Sequence, residues 1–236
     1  MTHPSFYAAR NHLGIELGAE ATAAQVRTVA SRGFDFAVLP GDAAARIGPQ
    51  VSGIGLVVRD PTPPATEPRF GWEPDRLQPA DLPLFHHLGP DDPVGPAALA
   101  DAVRVSAPDL AVAGAVRERV RAAVAAAGRD PDGVPVLADL DVHVTDRGRP
   151  GPPGLLQVSG SVADIARVVE AAVRLRAADG VTLRPVDPDA DLRRIGAELV
   201  PLLAGRGLFR PGHGGSLRER LALGTRSVTF VSRESA

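Results

Sequence analysis

Leu13-Gly14-Ile15-Glu16-Leu17, then Phe34-Asp35-Phe36-Ala37-Val38-Leu39, then Ile54-Gly55-Leu56-Val57-Val58 are three short apolar runs that decide the fold class. Between the first two, Thr22 is placed to cap a helix on which Val26, Val29 and Ala30 share one face. Gly33 stands where a left-handed residue ends such a helix. Strand, helix and strand joined this tightly form a βαβ unit, whose strands are parallel and whose crossover is right-handed. Pro40-Gly41-Asp42 breaks the second strand.

The same alternation continues downstream. Asp101 to Val105 reads as a strand, and the helix after it covers roughly Val112 to Ala127, with Val116, Val120, Ala123 and Val124 on one face and Gly128 as its stop. Val134 to Val144 is a strongly apolar strand. Asp146 to Gly154 holds three prolines and three glycines and reads as an exposed loop. Leu155-Leu156-Gln157-Val158 is another strand. Ser161 and Asp164 stand three apart, as in a capping box, ahead of the stripe Ile165, Val168, Val169, Ala172 and Val173; Gly180 closes that helix. Val181-Thr182-Leu183 is a last strand, and Leu192, Ile195, Leu199, Leu202 and Leu203 mark a final long helix ending near Gly205. From Pro61 to Pro96 the pattern fails, because ten of the 23 prolines lie there. Such a series predicts an α/β fold, either a (β/α)8-type TIM barrel or an open doubly wound sheet. With 236 residues, against about 250 for a full barrel, the barrel is trimmed or irregular in its middle.

Composition removes several chemistries. The 26 basic and 28 acidic residues nearly cancel, leaving −2, so nothing points to nucleic acid. The chain has no cysteine and no lysine; every basic residue is arginine. That excludes a thiolate nucleophile, an iron–sulfur cluster, a Schiff-base lysine and a P-loop. No HExxH, GxSxG or spaced carboxylate–histidine cluster supports a metal hydrolase or a serine triad. The cysteine-free composition, and the lack of an apolar leader or spanning segment near Met1, predict a cytoplasmic protein without a membrane partner.

Four segments carry a resemblance. They are Gly33-Phe34-Asp35-Phe36-Ala37-Val38-Leu39-Pro40-Gly41-Asp42; Ala126-Ala127-Gly128-Arg129-Asp130-Pro131-Asp132 with Val134 to Leu137; Gly160 to Val169 with Ala178-Asp179-Gly180-Val181; and Leu199 to Leu203 with Arg206-Gly207-Leu208-Phe209-Arg210 and Leu217-Arg218-Glu219-Arg220-Leu221. In this order they resemble the bacterial luciferase-like flavin monooxygenases, especially the branch of the nitrilotriacetate and dibenzothiophene-sulfone monooxygenases. The resemblance implies one barrel domain over 1–210, with an irregular proline-rich 61–96 and a tail at 211–236. It implies FMN, or a deazaflavin in its place, a small organic substrate and a flavin reductase as partner. A homo- or hetero-oligomer is compatible with it. The branch's Ala-Gly-x-Ser phosphate loop has no counterpart; Gly89-Pro90-Asp91-Asp92-Pro93 brings two carboxylates instead. The family also contains a shortened, non-fluorescent flavoprotein, so a non-catalytic flavin-binding or partner subunit is the alternative.

On a barrel the site lies at the C-terminal strand ends. Asp42, just past the second strand, is a candidate for the flavin edge, or else a turn or cap residue. Gly160 and Ser161 precede a helix whose amides suit a phosphate, or simply cap it. Arg184 follows the last strand as an anion clamp, or as a surface ion pair. His86 and His87 are the catalytic candidates for proton transfer; as loop histidines they would be solvated. As strand neighbours they face opposite sides and do not chelate one metal. His143 reads as the exposed side of its strand, and His213 lies in a tail that is able to fold over the mouth.

Overall fold

β1 (His12–Glu16), α1 (Ala23–Ser31) and β2 (Phe36–Pro40) form the expected parallel unit, with Gly14 opposite Phe36. The structure is a computed structural model that describes residues 11–59, 69–72, 83–146, 154–211 and 215–223, with 69–72 described by backbone alone. The Thr22 hydroxyl accepts from the Gln25 amide at 3.2 Å, and Gln25 Oε1 accepts from the Thr22 amide at 2.8 Å. Gly33, at φ +80°, turns the chain out of the helix.

Among the described residues nine strands form one sheet. β3 (Gly55–Arg59) pairs with β2, and β5 (Leu84–Leu88) pairs with β6 (Ala102–Val105). β7 (Val136–Val144) follows β6, and β9 (Gly180–Pro185) lies between β7 and β1. All these pairs are parallel. β4 (Arg69–Trp72) bridges β3 and β5 antiparallel to both, and with the β6–β7 pairing it closes the ring. β8 (Gln157–Gly160) takes over the edge of β7 at residues 141–144, beyond the point where β6 stops. The fold is therefore a TIM-barrel-like cylinder rather than an open sheet, with its irregularity in the middle of the chain.

Helices cover the outside: α2 (Gly41–Ile47), α3 (Leu110–Ala126), α4 (Val162–Arg174), α5 (Pro188–Arg194) and α6 (Val200–Gly205). Several elements differ from the sequence expectation. Where Pro40-Gly41-Asp42 reads as a break, α2 begins at once, because proline's fixed φ (here −57°) suits a helix entrance and no helical N–H is lost. The proline-rich stretch hides β5, whose five residues leave too short a pattern among prolines. Gly180 opens β9 and does not close α4, which ends at Arg174. The last helix widens to a π turn at Ile195–Leu199, immediately ahead of Pro201, which has no N–H to give and crowds the preceding turn.

The strand pleat sorts side chains into two cores. Outward residues such as Leu13, Ile15, Leu39, Leu140, Val142 and Leu183 pack under the helices, and Val103, Val105 and Val136 pack against α3. Inward residues Phe36, Val38, Val57, Phe85, Ala102 and Leu137 fill the lower interior. α7 (Leu217–Arg220) closes the N-terminal end of the ring, with Leu217 and Leu221 joining that inner cluster. Arg220 Nη2 donates to the Gly53 carbonyl at 2.7 Å and the Gly215 carbonyl at 3.2 Å, fixing the plug. No helix among the described residues is long and apolar enough to cross a membrane.

Gly14 exists for Phe36: a Cβ there would stand 2.2 Å from the ring. The Phe36 ring is fully buried and stacks obliquely on Phe85 at 5.3 Å, so it cannot retreat. Gly14→Ala is expected to lower the unfolding free energy by about 1–3 kcal/mol. Gly205→Ala, where nothing lies within 4 Å, should change it by less than about 1 kcal/mol. Urea unfolding of the two variants checks this, and equal stabilities would refute the close contact.

Candidate functional site

Above the Phe36 layer the inward positions turn from apolar to charged. Glu16 ends β1, Arg59 ends β3, and His87 lies near the end of β5. Arg104 and Ser106 lie in and just past β6, Asp139 and Asp141 are two apart on β7, and Arg184 is on β9. Strand alternation points all of them to one end of the lumen, the C-terminal end, where barrel chemistry is built.

Asp139 is the centre. Its side chain is completely buried. Arg104 Nε donates to Oδ1 at 2.9 Å, and Nη2 of the same guanidinium reaches Oδ1 at 2.8 Å. The other oxygen, Oδ2, accepts from Ser106 Oγ at 2.9 Å and contacts His87 Nε2 at 3.1 Å. His87 Nε2 also lies 3.0 Å from Ser106 Oγ. Arg104 Nη2 bonds Glu16 Oε2 as well, and Glu16 Oε1 takes Arg59 Nη1 at 2.6 Å. Arg184 Nε donates to Asp141 Oδ1 at 2.7 Å, while its Nη1 lies 3.5 Å from Ser106 Oγ and 3.6 Å from Asp139 Oδ2. Three guanidiniums thus face three carboxylates, and the cluster is neutral before His87 is counted.

Burial by itself would raise the pKa of the Asp139 carboxyl. The Arg104 charge, the His87 hydrogen bond and charge, and the Arg184 charge outweigh it and hold the group far below the usual carboxylate range. Burial would likewise strip the proton from Arg104, and the charges of Asp139 and Glu16 overcome that and raise its pKa. Because the ionised Asp139 can only accept, the His87 nitrogen facing it, Nε2, carries a proton, and Nδ1 is the ring nitrogen turned away from that contact. Nδ1 makes no hydrogen bond among the described residues, and the His87 side chain is 37% exposed.

Of the residues singled out in the sequence, the fold brings His87 and Arg184 into this cluster. His86 faces the other side of β5 and is buried. Asp42 is exposed in the first turn of α2. Gly160 and Ser161 sit at the start of α4, where the capping box forms: Asp164 Oδ2 accepts from the Ser161 amide at 2.9 Å and from its hydroxyl at 2.6 Å. An anion arriving there meets the Asp164 carboxylate. His143 Nδ1 lies 3.6 Å from Asp191, on a side chain 41% exposed, and His213 falls outside the described residues. Sequence reasoning passed over Glu16, Arg59, Arg104, Ser106, Asp139 and Asp141. Their signal is a charged residue inside an apolar strand, most plainly Asp139 and Asp141 two apart in Val134 to Val144.

No protein-family model and no curated protein matches the sequence. Solved structures do match the fold. A riboflavin lyase, solved with modified FMN and riboflavin, superposes with a TM-score of 0.69 over 90% of this chain and 95% of that one, at 12% identity. EDTA monooxygenase from Chelativorans sp. BNC1 gives 0.69 over 92% and 99%, at 14% identity. The coenzyme F420-dependent tetrahydromethanopterin reductase of Methanopyrus kandleri gives 0.62 over 82% and 99%, at 12% identity. The likeness to these three structures extends over most of both chains and shows a shared barrel fold.

The folded Asp139 titrates well below the ordinary 3.8. Its ion pairs therefore stabilise the fold in full above about pH 5 and are lost as the pH falls from there toward the folded value. Asp139→Asn leaves Arg104 buried with Glu16 alone and should cost about 3–5 kcal/mol at pH 7. Chemical unfolding between pH 7 and pH 3 should show the gap between wild type and variant narrowing with acid; a gap that stays constant refutes the assignment.

Proposed function

We propose that the protein is an oxidoreductase of the luciferase-like type, working with FMN or a deazaflavin in the barrel mouth on a small organic substrate. The observation that supports this reading is His87, held by the buried Asp139 and by Ser106 at the open end of a barrel of this kind. The four segments that resemble the nitrilotriacetate and dibenzothiophene-sulfone branch agree with it.

The donor set suits such a cofactor's carbonyl-bearing ring. The mouth presents guanidinium N–H groups, of which those of Arg59 lie most open to solvent. Arg59, 45% exposed at the rim, and Asp42 at the start of α2 would contact the ring edge. Gly160 and Ser161 mark the α4 end of the same rim, where phosphate would compete with Asp164. When bound, the cofactor supplies the electrons.

His87 takes or gives a proton at Nδ1, because Nε2 is committed to Asp139. Asp139 and Ser106 fix the plane of the imidazole, while Arg104, itself held by Glu16, keeps Asp139 ionised so that its orientation does not drift. The closed strand ring excludes water from below. With FMN, a partner reductase would deliver the reduced form.

Titration with FMN, reduced FMN and F420, followed by absorbance and fluorescence, is expected to show saturable binding of at least one. A screen of small organic compounds with the cofactor that binds then finds turnover, and His87→Gln should lower kcat by about 100-fold or more with cofactor affinity unchanged. Binding without turnover across the screen would favour a non-catalytic flavin carrier; no binding in any redox state would overturn the reading.

A further inference from the structure

We infer that the Nη1/Nη2 edge of Arg184 is a seat for a carboxylate group on the substrate, an assignment that rests on the mouth being the reaction site. The guanidinium is half used. Its Nε is committed to Asp141 at 2.7 Å, which fixes the plane of the group. Its Nη1 has only long contacts, 3.5 Å to Ser106 and 3.6 Å to Asp139, and its Nη2 is buried with no partner among the described residues. Buried polar groups are normally paired, and one left over marks a place for an acceptor.

A second observation lies two residues earlier on the same inward face. Thr182 is fully buried, and its Oγ1 has no partner either. Register places it opposite Asp139 on one side and Gly14 on the other, so it sits inside the ring. The inner face of β9 therefore carries two polar atoms without partners among the described residues, Thr182 Oγ1 and Arg184 Nη2.

Charge decides which anion fits. Arg59, Arg104 and Arg184 are already balanced by Glu16, Asp139 and Asp141. A monoanion adds one charge to a neutral cluster. A phosphate dianion adds two and faces three carboxylates at close range. A carboxylate is also planar, with two oxygens spaced to match the two Nη donors. Arg184 thus selects a substrate bearing a single carboxylate, with its reacting carbon toward His87.

The test is calorimetric titration of wild type, Arg184→Lys and Arg184→Gln with acetate, benzoate and inorganic phosphate, alongside FMN and F420. Wild type is expected to bind a carboxylate at least tenfold more tightly than phosphate. Both variants should lose at least tenfold in carboxylate affinity, since lysine keeps the charge but not the fork, and FMN or F420 affinity should stay the same. Arg184→Lys preserves a cation beside Asp141, so it carries the test if the glutamine variant does not fold. No carboxylate binding by wild type, equal binding by wild type and Arg184→Lys, or phosphate as tight as carboxylate overturns the inference. Carboxylate bound with no flavin or F420 upholds this seat and overturns the oxidoreductase reading; flavin or F420 bound with no carboxylate does the reverse.

Discussion

A carboxylate with no solvent contact stays charged only where fixed cations and donors replace its water, and Asp139 has four such groups around it: Arg104, Ser106, His87 and, farther off, Arg184. Arg104 is shared with Glu16 of β1. β6 and β1 are not neighbours in the ring; β7 and β9 lie between them. The guanidinium therefore reaches across the lumen and ties strands that no ladder of backbone hydrogen bonds connects. Such a buried pair adds little net stability over an apolar core of the same volume, since desolvation offsets most of the attraction. What it fixes is geometry. With Asp139 ionised and immobile, the His87 ring and the Ser106 hydroxyl have one arrangement, and the polar half of the lumen depends on it.

The lack of lysine explains how the irregular parts are held. A guanidinium presents several N–H donors in a rigid fork, which suits pairs of carbonyls in loops. Arg46 Nη2 takes the carbonyls of Ala19 and Ala21, Arg119 those of Pro90 and Asp92, and Arg129 those of Ala98 and Ala100. The last two pin the connection between β5 and β6, where the backbone makes few regular bonds. Arg119 uses both Nη atoms of its fork, whereas Arg46 and Arg129 each hold two carbonyls through the two N–H groups of one nitrogen.

Elements with local chemistry at their ends were legible in the sequence. Thr22 and Gly33 bounded α1, Gly128 ended α3 at φ +73°, and Ser161 with Asp164 opened α4. Elements defined only by their partners were not. β5 is five residues among prolines and becomes a strand because β6 lies alongside it; α2 starts on a Pro-Gly pair that reads as a stop. The site divided in the same way. His87 and Arg184 stood out by residue type and place, whereas Glu16, Arg104 and Asp139 are single charges in apolar strands. Their meaning appears only when the ring closes and sets them against one another.

The two ends of the lumen are physically unlike. Below, Phe36, Phe85, Leu137 and the plug residues Leu217 and Leu221 pack into one apolar cluster. Gly55 is small because a Cβ there would stand 2.7 Å from Leu217, so the plug and the strand were fitted to each other. Arg220 clamps the plug through backbone carbonyls, which no side-chain change nearby can remove. With the lower end filled by apolar packing, the exposed polar side chains of the lumen among the described residues are at the upper end, with Arg59 and His87 more open than Arg184. α7 thus shapes the lumen from its far end: by sealing one end, it leaves the charged end as the open one among the described residues.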